Sequence, residues 1–293
     1  MGLEDHRAPA DAADRVGLAH FALENLRLGF TAARRGLDYT RGLEYPLAYN
    51  AARLEPARRL RVADLGSGES ALLSRVIARR TAALVIAVDP LLGRRPGRRV
   101  LALRADAVRL PLRSGSLDRI LLVSTIEHLE GEGDARAMAE VGRVLAPGGT
   151  CVLTTPYDAG GAREEFRPGP VYGRGRAGEP TFFERSYDER SLAERLIEPS
   201  RLRERERRYF GEPGFSFERF RDRCLRGGLV ARLLNLPFAL AMPLISRRFF
   251  RDLGPHPPGA GAGKAAGKGG GVMLALQKPL PEADGDPERA GSS

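Results

Sequence analysis

The stretch Arg61-Val-Ala-Asp-Leu-Gly-Ser-Gly-Glu-Ser-Ala71 constrains this chain more than any other, because an apolar strand runs directly into a turn built on two glycines. Gly66 and Gly68 permit positive φ and leave no Cβ between backbone and ligand. A helix opening at Glu69 would aim unpaired amides into the same space. A second aliphatic run, Leu84 to Val88, ends in Asp89. That acid stands about 20 residues past the first glycine, where a carboxylate meets the ribose hydroxyls of a nucleotide cofactor.

Two cofactor classes use such a unit. The spacing Gly66-x-Gly68-x-x-Ala71 satisfies the dinucleotide fingerprint with its permitted final alanine. Charge points elsewhere. A dinucleotide lays an anionic pyrophosphate on the helix N-terminus, whereas S-adenosylmethionine brings a sulfonium, an ammonium and one carboxylate. Asp64 precedes the turn and Glu69 stands at the expected helix start, where a carboxylate competes with a diphosphate for the same amides. A cationic cofactor is favoured.

Val62 to Gly68 resembles the first motif of class I S-adenosylmethionine-dependent methyltransferases, and later segments agree in order. Asp89-Pro90 is similar to the acidic end of the second strand. Arg104-Ala105-Asp106-Ala107 is similar to the third-strand end, whose acid approaches the adenine amino group. Leu110 to Asp118 leads into the strand Arg119 to Val123, Ser124 to Leu129 follows it, and Glu140 to Gly149 resembles the helix and turn before a fifth strand, Thr150 to Thr155. The resemblance spans residues 58 to 157. Its acid-histidine pair, Glu127-His128, and its Pro147-Gly148-Gly149 turn are similar to the ubiquinone-biosynthesis-like branch (type 11), which methylates small molecules. Ser70 replaces the family's third glycine and can still cap or donate a hydrogen bond.

The resemblance implies S-adenosyl-L-methionine as cofactor, a small-molecule acceptor, and cofactor contacts from Asp64, Gly66, Ser67, Gly68, Asp89, Pro90, Asp106, Ala107 and Ser124. O-, N- and C-methylation stay open. The loop after strand four faces the transferred methyl in this fold, so His128 is the first candidate for a general base, with Glu127 orienting the imidazole or touching the cofactor. A lone histidine there also serves as a structural hydrogen-bonding residue. Tyr157 and Asp158 either line the acceptor pocket or are exposed loop residues.

Short, continuously apolar strands at 61 to 65, 83 to 88, 99 to 104, 119 to 123 and 150 to 155 fit a sheet covered by helices on both faces. The expected fold is therefore α/β: a doubly wound, mostly parallel seven-stranded sheet with an N-terminal helical cap and a C-terminal insertion. Residues 201 to 210 and 272 to 277 are the expected last two strands. Val16, Ala19, Leu23, Leu26 and Phe30 repeat as one apolar helical stripe, and Pro46 suits the first turn of a second helix. The linker from Leu91 to Arg99 suggests a reduced helix between strands two and three, residues 158 to 180 read as a mobile loop, and Asp188 caps a helix through Ile197. The expected division is a cap at 1–57, a cofactor-binding core at 58–211, a helical and apolar insertion at 212–253, a disordered linker at 254–271, a last core strand at 272–279 and a disordered tail at 280–293.

A formal charge of +10 raises acidic partners, but only Lys264, Lys268 and Lys278 among the 47 basic residues are lysines. No aromatic-interleaved basic stripe is present, so specific nucleic-acid binding is not expected. Two cysteines, Cys151 and Cys224, make neither a metal spacing nor a disulfide framework, no metal site is expected, and residues 1 to 20 lack an apolar signal region, which together suggest the cytoplasm. The run Leu233 to Ile245, flanked by Arg247 and Arg248, is too short to span a bilayer. It reads as an insertion packed on the domain or a second subunit, or alternatively as a lid or peripheral membrane contact through 233–248. Two other functions compete with methyl transfer: a nicotinamide-dependent oxidoreductase, favoured by Ala71, and a non-catalytic protein binding membrane or an acidic polymer through its arginines.

Overall fold

The computed structural model describes residues 16–27, 40–92, 99–212, 251–257 and 270–281. Five strands build the parallel half of the central sheet: β1 (Arg61–Leu65), β2 (Leu84–Val88), β3 (Val100–Leu103), β4 (Leu117–Val123) and β5 (Leu145–Pro156). The chain winds from β1 outward through β2 to β3, then crosses back to β4 and β5 on the other side, each neighbour parallel. Three antiparallel neighbours extend the β5 edge: β10 (Gly271–Gln277), β8 (Arg203–Gly211) and β9 (Arg251–Gly254), in that order. Among the described residues the sheet thus has 8 strands, one more than expected, because Arg251–Gly254 pairs with the end of β8. The remaining strands, β6 (Arg163–Pro168) and β7 (Pro180–Ser186), form a separate hairpin.

Strand alternation divides the core into two layers. Val62, Val85, Leu121 and Val123 face α1 (Leu18–Arg27), α2 (Arg41–Ala51) and α3 (Leu72–Arg80), with Phe21, Tyr49 and Leu73 filling that layer. Ala63, Leu65, Ile120 and Leu122 face α4 (Gly133–Val144) and the helical stretch from Glu189 to Ser200, against Met138, Val141 and Leu196. Neighbouring residues serve opposite faces, which is why runs such as Leu84–Val88 and Ile120–Val123 are apolar without interruption. Asp188 caps the last helix through a reciprocal box with Ser191, as expected. That helix passes through a π-helical segment, Ala193–Ile197.

Four local expectations change. On α1 the buried residues are Leu18, Phe21 and Glu24, whereas Leu23 and Leu26 are half-exposed and Ala19 is exposed. The rotation is set by Phe21 packing on Tyr45, ring centroids 5.2 Å apart, and by Glu24 pairing with Arg79 at 2.7 Å. Pro46 lies inside α2, which starts at Arg41, and not in its first turn. Helix α3 starts at Leu72, not Glu69, because Ala71 takes a left-handed conformation at φ 49° just before it. Residues 163 to 186 are a hairpin instead of a mobile loop, held by edge contact of Phe166 on Phe182, by the buried ion pair of Arg185 with Asp134 and by its second pair with the exposed Glu164.

Phe30, the linker at 93–98, the helix-like Phe215 to Leu225, the apolar segment 233–248, most of 254–271 and the tail beyond 281 lie outside the described residues. Among the described residues no helix is long and apolar enough to cross a membrane.

Candidate cofactor and acceptor cleft

In an open doubly wound sheet the ligand crevice lies at the carboxyl ends of the strands where the winding reverses. Here that point is between β1 and β4. The turn after β1 carries Gly66 at φ 72° and Gly68 at φ 66°, both in the region that favours glycine. A Cβ on Gly66 would meet the Thr125 side chain at 2.2 Å, so the β4 loop presses directly on this glycine. Thr125 in turn donates to the carbonyl of Leu65 or Val123, both 3.2 Å away, tying the β4 loop to the end of β1.

The donors of the turn have acceptors within the protein. Gly66 and Ser67 both donate to the Val88 carbonyl, at 2.8 and 3.2 Å. Gly68 donates to Asp89 Oδ2 at 3.0 Å, and Leu91 donates to Asp89 Oδ1 at 2.7 Å. The amide and hydroxyl of Ser74, at the third position of α3, both donate to Asp64 Oδ2, at 3.1 and 2.7 Å. Asp64 thus caps α3 from β1 with a negative charge at the helix N-terminus. Its burial pushes its pKa up to about 6, against the stabilising bonds from Ser74. Asp106 lies exposed after β3, where its side chain closes a turn on the amide of Val108 at 3.0 Å, with Ala107 half-buried beside it. Pro90 is exposed next to Asp89.

The end of β4 collects the polar groups. Ser124 adopts φ 42° and donates its hydroxyl to Glu44 Oε1 at 2.7 Å, while Thr154 donates to the same oxygen at 3.1 Å. Arg41 binds the other oxygen of Glu44 at 2.5 Å. Helix α2 therefore lowers a buried acid onto the ends of β4 and β5. Glu127 follows in a 3₁₀ turn, Ile126–His128, and is buried; desolvation pushes its carboxyl up to about 8, so it holds a proton at neutral pH. Its Oε2, like the hydroxyl of Ser67, is a buried oxygen without a hydrogen-bond partner among the described residues.

His128 is held by the hairpin. Its Nδ1 lies 2.7 Å from the Phe183 carbonyl, which can only accept, so Nδ1 carries the proton and Nε2 presents a lone pair. Burial, helped by the charges of Arg41, Arg174 and Arg167, lowers the imidazole to about 4 and keeps it neutral. The 3.9 Å approach of Glu127 Oε1 to Nε2 thus joins two uncharged groups at neutral pH. The Tyr172 hydroxyl stands 3.4 Å from the same nitrogen. The hairpin is anchored by Asp134, fully buried, which accepts from Arg185 at 2.6 Å, from Tyr187 at 2.9 Å and from two nitrogens of Arg195 at 2.8 Å.

The positions read from the sequence follow the carboxyl ends of four neighbouring strands: the β1 turn, Asp89 after β2, Asp106 after β3, and Ser124 to His128 after β4. Tyr157 and Asp158 do not join them. Tyr157 is buried edge-on against Tyr209 at 4.8 Å and bonds Glu189, and Asp158 pairs with Arg163. Glu44, Arg41, Thr125, Tyr172 and Phe183 enter the cleft without having been expected. Glu44 and Arg41 come from a helix remote in sequence, and of these only the Thr125 position next to Ser124 carried a local signal.

This is the strand order of a doubly wound α/β fold. Residues 63–153 match a family model described as a methyltransferase domain. Over 101 residues the chain is 37% identical to uncharacterized methyltransferases of Mycobacterium bovis and Mycobacterium tuberculosis, a match covering 33% of this chain and 40% of each relative. A putative methyltransferase of Bacillus halodurans superposes with TM-score 0.50 at 14% identity, over 81% of this chain and 99% of the other. The Burkholderia thailandensis 1,6-didemethyltoxoflavin N1-methyltransferase does so with TM-score 0.50 at 14% identity, over 95% and 98% of the two chains. Residues 63–153, most of the parallel half of a Rossmann-like sheet, are thus similar to a methyltransferase domain.

Proposed function

We propose that the whole protein is an S-adenosylmethionine-dependent methyltransferase for a small-molecule acceptor. The observation that carries this reading is the pair of acids at the turn: Asp64 and Asp89 already take the amides of Ser74 and Gly68. A diphosphate at this turn would face those carboxylates at short range, whereas a cationic ligand is attracted by them. Two buried oxygens without hydrogen-bond partners among the described residues, Ser67 Oγ and Glu127 Oε2, give the cleft unmet polar capacity of the kind a polar cofactor satisfies. The Burkholderia relative of this fold is described with S-adenosylhomocysteine and a small molecule bound, in line with the same cofactor here.

In this reading Gly66, Ser67 and Gly68 cradle the cofactor, Asp89 and Pro90 meet its ribose, Asp106 and Ala107 its adenine, and Asp64 and Ser124 complete the site. The cofactor supplies a methyl group on an electron-poor sulfonium. The chain aligns the acceptor and excludes water. His128 takes the acceptor's proton at Nε2, the tautomer being fixed by the Phe183 carbonyl. Neutral Glu127 faces that nitrogen and disfavours no cation while it keeps its proton. The cofactor-binding core is assigned to 58–211 completed by 272–279, with 1–57 as the cap.

The test is product mass analysis after incubation with methyl-labelled S-adenosylmethionine and a metabolite extract from the host. A labelled small molecule together with S-adenosylhomocysteine is expected. Label on protein or nucleic acid alone, or none, contradicts the reading.

A further inference from the structure

Resting on that reading, we infer that Glu44 is a positioning residue for the cofactor site: through the Ser124 hydroxyl it holds the turn after β4 in a strained form, and that turn shapes both the glycine bend after β1 and the seat of His128. Both oxygens of Glu44 are engaged within the protein. Oε1 accepts from the hydroxyls of Ser124 and Thr154, at 2.7 and 3.1 Å, and Oε2 accepts from Arg41 at 2.5 Å. The residue is buried, so its influence on a ligand passes through those partners.

Ser124 is the first residue after β4 and sits at φ 42°, in the left-handed region where a side chain crowds the backbone. Glycine would take that conformation without strain, but it has no hydroxyl to give Glu44. A serine stays there when its side chain is held, and a hydrogen bond to a carboxylate is one of the stronger kinds. Its amide is fixed at the same place, since the carbonyl and the hydroxyl oxygen of Thr154 both stand 3.1 Å from it. Thr154 therefore links the two ends, accepting from the Ser124 amide while donating to Glu44.

The next residue carries the effect onward in two directions. The Thr125 side chain fills the space beside Gly66, and its hydroxyl stands 3.2 Å from the Leu65 carbonyl. Its carbonyl accepts from the His128 amide at 3.1 Å, closing the 3₁₀ turn Ile126–His128. Were Ser124 to relax to an ordinary negative φ, the chain beyond it would swing, drawing Thr125 off Gly66 and rotating the histidine turn. A carboxylate on α2 thus governs two elements of the site that it does not touch.

Calorimetry with S-adenosylhomocysteine on the purified chain tests this without an acceptor, and urea unfolding shows that each variant is folded. No binding by wild type would strike the methyltransferase reading and this proposal with it. Given binding, Ser124→Ala and Ser124→Gly both lose the hydroxyl, but only alanine keeps the left-handed strain; alanine should weaken binding about tenfold and glycine less than about threefold. Equal losses would mean that the hydroxyl itself meets the cofactor, and would overturn the proposal. Glu44→Ala should also weaken binding about tenfold, whereas Glu44→Gln, whose amide oxygen still accepts from Ser124, should stay within about threefold of wild type. Adding Ser124→Gly to Glu44→Ala should recover most of the loss, because a glycine needs no holding. A Glu44→Ala loss of the same size in the serine and glycine backgrounds would make Glu44 a plain anchor of its helix and overturn the proposal, as would unchanged binding in Glu44→Ala and Ser124→Ala. If Glu44→Ala does not fold, the two Ser124 variants decide alone.

Discussion

Replacing Glu127 with glutamine removes one buried proton and makes its cost readable as a pH dependence of stability. Glu127 has an ordinary carboxyl value of 4.5 and is held near 8 in the fold by burial. Between those values the folded chain keeps a proton that the unfolded chain has released, so stability is complete below the lower value and is lost as pH rises towards the upper one. The slope is at most about 1.4 kcal/mol per pH unit for one proton. His128 acts oppositely: its value falls from 6.5 to about 4, so stability rises with pH across that interval. The two nearly cancel at acid pH, and Asp64, raised to about 6, has finished titrating above that. Glu127 is therefore isolated from pH 6.5 upward. Over the unit and a half to its folded value, wild type should lose about 2 kcal/mol, or roughly 4–8 °C in melting temperature, while Glu127→Gln stays nearly level. Urea unfolding of the cofactor-free protein at pH steps across this interval reads it directly. Parallel profiles for the two proteins would refute a protonated Glu127 and the buried setting assigned to it.

Other outcomes follow from the same geometry. Gly66→Ala places a methyl 2.2 Å from Thr125 and keeps φ at 72°, so cofactor affinity should drop at least tenfold by calorimetry; adding Thr125→Ala should relieve the collision but leave about 1–2 kcal/mol of backbone strain in denaturant unfolding. Asp134→Asn leaves Arg185 and Arg195 without their buried anion, which should cost about 3–5 kcal/mol and expose the hairpin to limited proteolysis before the sheet is cut. His128→Ala should lower turnover about 10²–10⁴-fold with S-adenosylmethionine affinity nearly unchanged, and unchanged turnover would end its role as base. Cys151 is fully buried and its thiol is pushed far up by desolvation, so it should resist a thiol reagent until urea unfolds the protein.

The parallel strands were legible because burial on both faces leaves runs such as Leu84 to Val88 without a polar break, and the β1 turn because positive φ calls for glycine at Gly66 and Gly68. Local chemistry also marked the Asp188 cap. What escaped depends on partners distant in sequence. On α1 the apolar residues alone suggest a face through Leu23 and Leu26, but the Glu24 pair with Arg79 turns that acid inward and those leucines out. The hairpin's proline, glycine and charge content reads as loop, and only Asp134 on α4 shows why Arg185 is buried. Glu44 could not be assigned to the cleft from its own surroundings, since the groups that claim it, Ser124 and Thr154, lie at the ends of β4 and β5. The strand expected at 201 to 210 did form, as β8, although its arginine-glutamate alternation leaves only the last residues, Tyr209, Phe210 and Gly211, as buried anchors.

A glycine turn whose Gly68 amide is already held by Asp89, with Asp64 at its base, should accept a sulfonium and refuse a diphosphate. Isothermal titration of the purified chain with S-adenosylmethionine and with NAD tests it most directly. Saturable binding of S-adenosylmethionine with no measurable heat from NAD is the predicted result. Firm binding of NAD with none of S-adenosylmethionine would contradict it.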